Sequence, residues 1–122
     1  MNGSNSNIIG SWKLKAFNIR ETNGVVRDWR PNAHGILIYA PDGFMSVSIN
    51  SDQRGEAWSD SLLFYAGAYA FDGETVTHQV SNATSSERIG KPMIRKAILR
   101  GDELELVAEG DFGLAILVWK RP

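Results

Sequence analysis

The chain has 122 residues with 13 basic and 14 acidic side chains, a net charge of −1 and no cysteine. That size fits one domain, and the missing thiols exclude disulfides, a thiolate nucleophile and Cys-ligated metal. The charge balance argues against a dedicated nucleic-acid or anionic-membrane surface.

Met1–Asn7 reads MNGSNSN, polar and small. It has neither the basic nor the apolar region of a secretory signal, so the expectation is a disordered tail at 1–7 and a barrel domain at 8–122. No apolar run approaches the roughly 20 residues of a membrane helix. The expected setting is cytoplasmic.

From there the chain reads as short β-strands between turns. Ser11–Arg20 and the weaker Val25–Trp29 flank Asn23-Gly24. Gly35–Tyr39 and Phe44–Asn50 flank Asp42-Gly43, and Gly67–Phe71 and Thr75–Ser81 flank Asp72-Gly73. Pro92–Arg100, Glu103–Glu109 and Leu114–Lys120 follow, joined at Gly101-Asp102 and at Gly110–Gly113. Asn-Gly and Asp-Gly suit hairpins because the turn needs positive φ. The fold class is all-β: a single antiparallel up-and-down barrel of about eight to ten strands. In Arg54–Tyr65, Ala57, Trp58, Ser61, Leu62 and Tyr65 recur at spacings of three and four. This predicts one short helix, Glu56–Phe64, across a barrel mouth. Asn82–Lys91 reads as a loop.

Alternation along each strand assigns the faces. Trp12, Leu14 and Ala16 are expected inside, as are Met45, Val47 and Ile49. Val76, His78 and Val80 share the apolar face of their strand. Met93, Arg95, Ala97 and Leu99 point in, with Leu117 and Trp119. The interior is apolar, interrupted by His78, Arg95 and Tyr69. A buried arginine needs acceptors. Arg95 therefore reaches one in the protein or waits for an anionic or carbonyl-bearing ligand.

Five stretches carry a resemblance: GSWKL (Gly10–Leu14), GILIYAPDGFMSV (Gly35–Val47), YAGAYAFDGETVTHQV (Tyr65–Val80), IRKAILRGDELELV (Ile94–Val107) and LVWKR (Leu117–Arg121). Gly10-Ser11-Trp12 resembles the Gly-x-Trp signature of lipocalins. The whole set is similar to the lipocalin-like domain family of bacteria and fungi. The resemblance implies a lipocalin-like barrel and carries over Trp12, Tyr65, Gly67, Tyr69, His78, Arg95, Trp119 and Arg121. It also implies that Trp12 closes the barrel base with Arg121 packed over it. Where such sequences often have a Pro-x-Trp-Gly-like loop, this chain has Glu87-Arg88-Ile89-Gly90, so the ligand is not carried over.

The candidate catalytic residues are His78, Arg95 and Tyr69. Histidine suits proton transfer near neutral pH. Arg95 and Tyr69 suit an oxygen that gains negative charge. Tyr65, Trp58, Met45, Val47, Met93, Trp119 and Leu117 are the candidate ligand-binding residues. A metal site is not expected, because the only other histidine is His34 and no carboxylate has ligand spacing to either. No cofactor motif is present. By analogy with other small barrels, the expected activity is a cofactor-free isomerisation, cyclisation or dehydration of a polyketide- or terpenoid-like intermediate. The alternative is a non-catalytic carrier or sensor. The expected partner is a small hydrophobic molecule, without nucleic acid or membrane; a homodimer is left open.

Overall fold

The computed structural model describes residues 8–30, 32–51, 62–110 and 113–122. Nine strands run in chain order: β1 (Gly10–Glu21), β2 (Val26–Asp28), β3 (His34–Tyr39), β4 (Phe44–Asn50), β5 (Leu62–Phe71), β6 (Thr75–Ala83), β7 (Pro92–Arg100), β8 (Glu103–Gly110) and β9 (Gly113–Lys120). All neighbours pair antiparallel in the order β2-β1-β3-β4-β5-β6-β7-β8-β9, and β1 also pairs with β9. That last pairing closes an eight-stranded barrel, with β2 as an extra strand beside the second half of β1. Closure removes the free edges an open sheet would carry.

The turns the sequence marks at Asn23-Gly24, Asp42-Gly43, Asp72-Gly73 and Gly101-Asp102 are in place, each with its glycine at positive φ; residues 111 and 112 lie outside the described residues. At Asp72-Gly73 the Asp72 carboxylate accepts from the backbone N–H of Glu74 at 2.9 Å and of Thr75 at 2.7 Å. Those bonds hold its pKa below the usual carboxylate value.

Period-two alternation sorts the side chains as expected in most strands. Met45, Val47 and Ile49 are buried, as are Val76, His78 and Val80. Strand β1 departs from the expectation. Its register against β9 shifts between Leu14 and Ala16, a β-bulge that inserts one residue. Beyond it, Phe17 pairs with the inward Leu117, and Ala16 pairs with Val118 on the opposite face. Ala16 is therefore not an inward residue; Phe17 and Ile19 take that role.

The predicted helix over Glu56–Phe64 needs a second correction. Positions 62–64 are strand, paired with β4 as Asn50↔Leu62, Ile49↔Leu63 and Ser48↔Phe64. A ladder partner outweighs a weak helical spacing, because an unpaired β4 would leave its backbone groups unsatisfied. The rest of that segment, including Trp58, lies outside the described residues. Strand β6 also runs to Ala83, two residues into the expected loop, and a 3-10 turn follows at Ser86–Arg88. Among the described residues, no helix is long and apolar enough to cross a membrane.

Two groups of buried residues fill the barrel. The larger includes Ile8, Trp12, Leu37, Tyr39, Leu104 and Trp119. A smaller group of Ile19, Ala108 and Ala115 sits at the other end, with Phe17, Trp29 and Leu117 against it. Large rings thus close one end; at the other, two alanines and Ile19 sit under the stacked rings of Phe17 and Trp29.

Candidate functional site

The closed end is built around Trp12, which is fully buried. Its indole Nε1–H donates to the Ile8 carbonyl at 2.9 Å. The Arg121 guanidinium lies 4.0 Å from the ring centroid, a cation–π contact, and donates to the Ile9 carbonyl at 3.1 Å. Gly10 makes room for that arginine. Its φ is +124°, and a Cβ there would stand 2.9 Å from an Arg121 nitrogen. Glycine therefore starts the Gly-x-Trp stretch for reasons of conformation and space.

His78 lies mid-barrel and is 1% exposed. Nε2 is 2.7 Å from the Tyr39 hydroxyl, and Nδ1 is 2.7 Å from the Tyr65 hydroxyl. Burial, reinforced by the nearby Arg95 charge, lowers its pKa from 6.5 to about 3. The imidazole is neutral at physiological pH. Burial also raises the pKa of Tyr39 well above 10, with the neighbouring Tyr65 and Tyr69 adding to it. Tyr65 is raised by burial too, though Arg95 pulls it back.

A cavity of about 50 Å³ adjoins this group. His78, Tyr65 and Arg95 supply its polar lining, and Val47, Leu117 and Trp119 part of its apolar lining. Arg95 is half-buried. It donates to the carbonyl of Ile94 at 3.0 Å and lies within hydrogen-bonding reach of the Tyr65 hydroxyl. Among the described residues it has no carboxylate partner, and the buried Nε1–H of Trp119 has no hydrogen-bond partner.

The structure thus gathers His78, Arg95, Tyr65, Val47, Leu117 and Trp119 around one space. Tyr69 is elsewhere. Its hydroxyl donates to the Ala40 carbonyl at 2.8 Å, toward the closed end, and its ring lies 4.7 Å from that of Tyr39. Met45 is buried and Met93 half-buried, and neither lines the cavity. Among the described residues, no cluster of His, Asp and Glu fits a metal ion. Tyr39 is the residue sequence reasoning missed. It shares strand parity with the inward Leu37, and an inward phenol must find a buried partner.

A family model described as "Lipocalin-like domain" matches residues 9–122. The chain belongs to the lipocalin-like domain family. No curated protein and no solved structure matches it. In this lipocalin-like domain, the Gly67 of the Tyr65–Tyr69 stretch has a plain steric role. A Cβ there would stand 1.8 Å from the Gln79 carbonyl oxygen, beside the register shift between β5 and β6. The glycine lets β6 approach closely enough to bring His78 to the tyrosines. A lipocalin-like barrel suits a small hydrophobic ligand, because it offers a concave apolar interior with few polar groups.

Proposed function

We propose that this lipocalin-like barrel binds a small, slender hydrophobic molecule with an oxygen-bearing end. The observation that carries the reading is the cavity of about 50 Å³, whose apolar walls are broken by Tyr65, His78 and Arg95. That volume is a third of the ~150 Å³ that accepts a benzene ring. It holds the oxygen and the carbons next to it. The rest of the ligand runs past Phe17, Leu63 and Leu117 toward the end lined by alanines, with those side chains turning to admit it.

Titration with a series of straight-chain methyl ketones tests this, read by amide shifts at Leu37, Val47 and Leu106. Affinity should rise by about 0.8 kcal/mol per added methylene until the tail leaves the barrel. Val47→Phe should abolish the saturable shifts. A series that produces no saturable shift overturns the reading.

A second reading rests on the Tyr39–His78–Tyr65 chain. It is the cofactor-free isomerisation, cyclisation or dehydration of a polyketide- or terpenoid-like intermediate. Both His78 nitrogens already face hydroxyls at 2.7 Å, so Tyr65 would be the group that touches the substrate, with Arg95 steadying the oxygen. A proton passed outward by Tyr65 and replaced through His78 would leave a phenolate at Tyr39. Burial makes that phenolate costly. The chain therefore suits orientation better than net proton transfer, which favours binding in a carrier or sensor. Turnover lost in Tyr65→Phe would support the catalytic reading; turnover that survives it would exclude this version.

A further inference from the structure

Tyr39 sets the direction of the hydrogen bonds around His78. It is 0% exposed, and among the described residues its hydroxyl has one partner, Nε2 of His78, at 2.7 Å. A buried phenol proton without an acceptor costs roughly 1–3 kcal/mol. Tyr39 therefore donates to Nε2. A neutral imidazole that accepts on one nitrogen carries its proton on the other. Nδ1–H then donates to the Tyr65 oxygen at 2.7 Å. The Tyr65 proton is left without an acceptor among the described residues, on a side chain that lines the cavity.

The other polar groups around the cavity have the same sense. Arg95 has only N–H groups to offer; one is used on the Ile94 carbonyl, and the guanidinium also lies within hydrogen-bonding reach of the Tyr65 oxygen, which it can only donate to. Trp119 lines the cavity, and its buried indole N–H is unpartnered. Around this space the described residues bring three kinds of donor and no side-chain acceptor that is still free.

From this arrangement we infer that the cavity is a donor-only site that selects a ligand by a proton-free oxygen, a carbonyl or carboxylate, and discriminates against the matching alcohol. Tyr39 and His78 are positioning residues that fix this polarity without touching the ligand. The inference rests on the binding reading above and deepens it. An alcohol of the same shape can accept from Tyr65, but its own O–H is then buried among donors. That unpaired proton is the source of discrimination.

The test uses hexan-2-one, hexanoate and hexan-2-ol as probes, with protein labelled at histidine nitrogen. Long-range proton–nitrogen spectra should show His78 protonated at Nδ1. The ketone and the carboxylate should each bind about tenfold more tightly than the alcohol. In Tyr39→Phe, Nε2 loses its donor, so His78 should become a mixture of tautomers and the ketone-to-alcohol ratio should fall toward one. Tyr65→Phe should weaken ketone and alcohol together and keep their ratio, since the cavity still holds only donors, while His78 remains protonated at Nδ1 because Tyr39 still directs it. This second variant keeps the test decisive if Tyr39→Phe fails to fold. An Nε2–H tautomer in the unmodified protein overturns the inference, and so do equal affinities for ketone and alcohol, with ligand binding itself left standing. If none of the three probes shifts the cavity resonances, the binding reading falls and takes the inference with it.

Discussion

Two arginines mark two regions of this barrel, its closed end and its cavity, and they differ in what surrounds them. Arg121 sits 4.0 Å above Trp12 and donates to the Ile9 carbonyl. Arg95 lines the cavity, bonds the carbonyl of the residue before it, reaches the Tyr65 hydroxyl, and has no carboxylate partner among the described residues. At the closed end, ring and cation satisfy each other. Around the cavity, the cation and its neighbours Tyr65 and Trp119 have donors to spare. Stability and the proposed ligand recognition thus fall on different residues, and substitutions should separate them.

The largest separation is expected from Trp12→Ala. It deletes a fully buried indole and its bond to Ile8. Chemical denaturation should show a loss of about 3–5 kcal/mol. A loss below about 1 kcal/mol would mean the closed end is not the stability centre.

The His78 effect comes next and depends on pH. Its folded pKa is about 3, against 6.5 in an unfolded chain. The unfolded chain therefore takes up the proton more readily. The contribution is complete above pH 6.5 and is lost as pH falls toward 3. In that window stability should drop by about 1.4 kcal/mol per pH unit at most. Urea midpoints for His78→Gln should follow a flatter curve between pH 6.5 and 4.5, above the range in which most carboxylates titrate. Parallel curves would show that the imidazole is not held neutral.

Arg121→Met should cost about 1–2 kcal/mol, from the lost cation–π contact and the hydrogen bond to Ile9. Arg95→Met should change stability by less than about 0.5 kcal/mol, since no ion pair is broken. The same variant should weaken hexanoate more than hexan-2-one in a shift titration, because only hexanoate carries a charge. If the two arginine variants lose equal stability, the contrast between the two regions is wrong.

Most of the barrel was legible because strand alternation is a strict signal. Met45, Val47 and Ile49 announce their face by the serines between them, and His78 could be placed inside by the valines on either side of it. The bulge at Leu14–Ala16 left no such mark, since a bulge needs no special residue there, and it turned Ala16 away and Phe17 in. At Leu62–Phe64 the local spacing competed with a long-range partner, β4, which a local pattern does not contain. The candidate site was half legible. His78, Arg95 and Tyr65 follow from parity and resemblance. The pairing of His78 with Tyr39 joins residues 39 positions apart across the barrel and needs three dimensions. The partner of Tyr69 was hidden for the same reason: parity gives a side, whereas its hydroxyl donates lengthwise, to Ala40.

The bond from Arg121 to the Ile9 carbonyl has a consequence for engineering. It brings the start of the first barrel strand and the end of the last to one spot, so the wall is a ring whose seam is a matter of covalent bookkeeping. A short peptide tying those ends, with a new break at the Asp72-Gly73 turn, should leave every strand beside its present neighbours. Such a circular permutant would begin at β6, the strand that carries the histidine, and its refolding would show whether the order of synthesis matters to this cylinder.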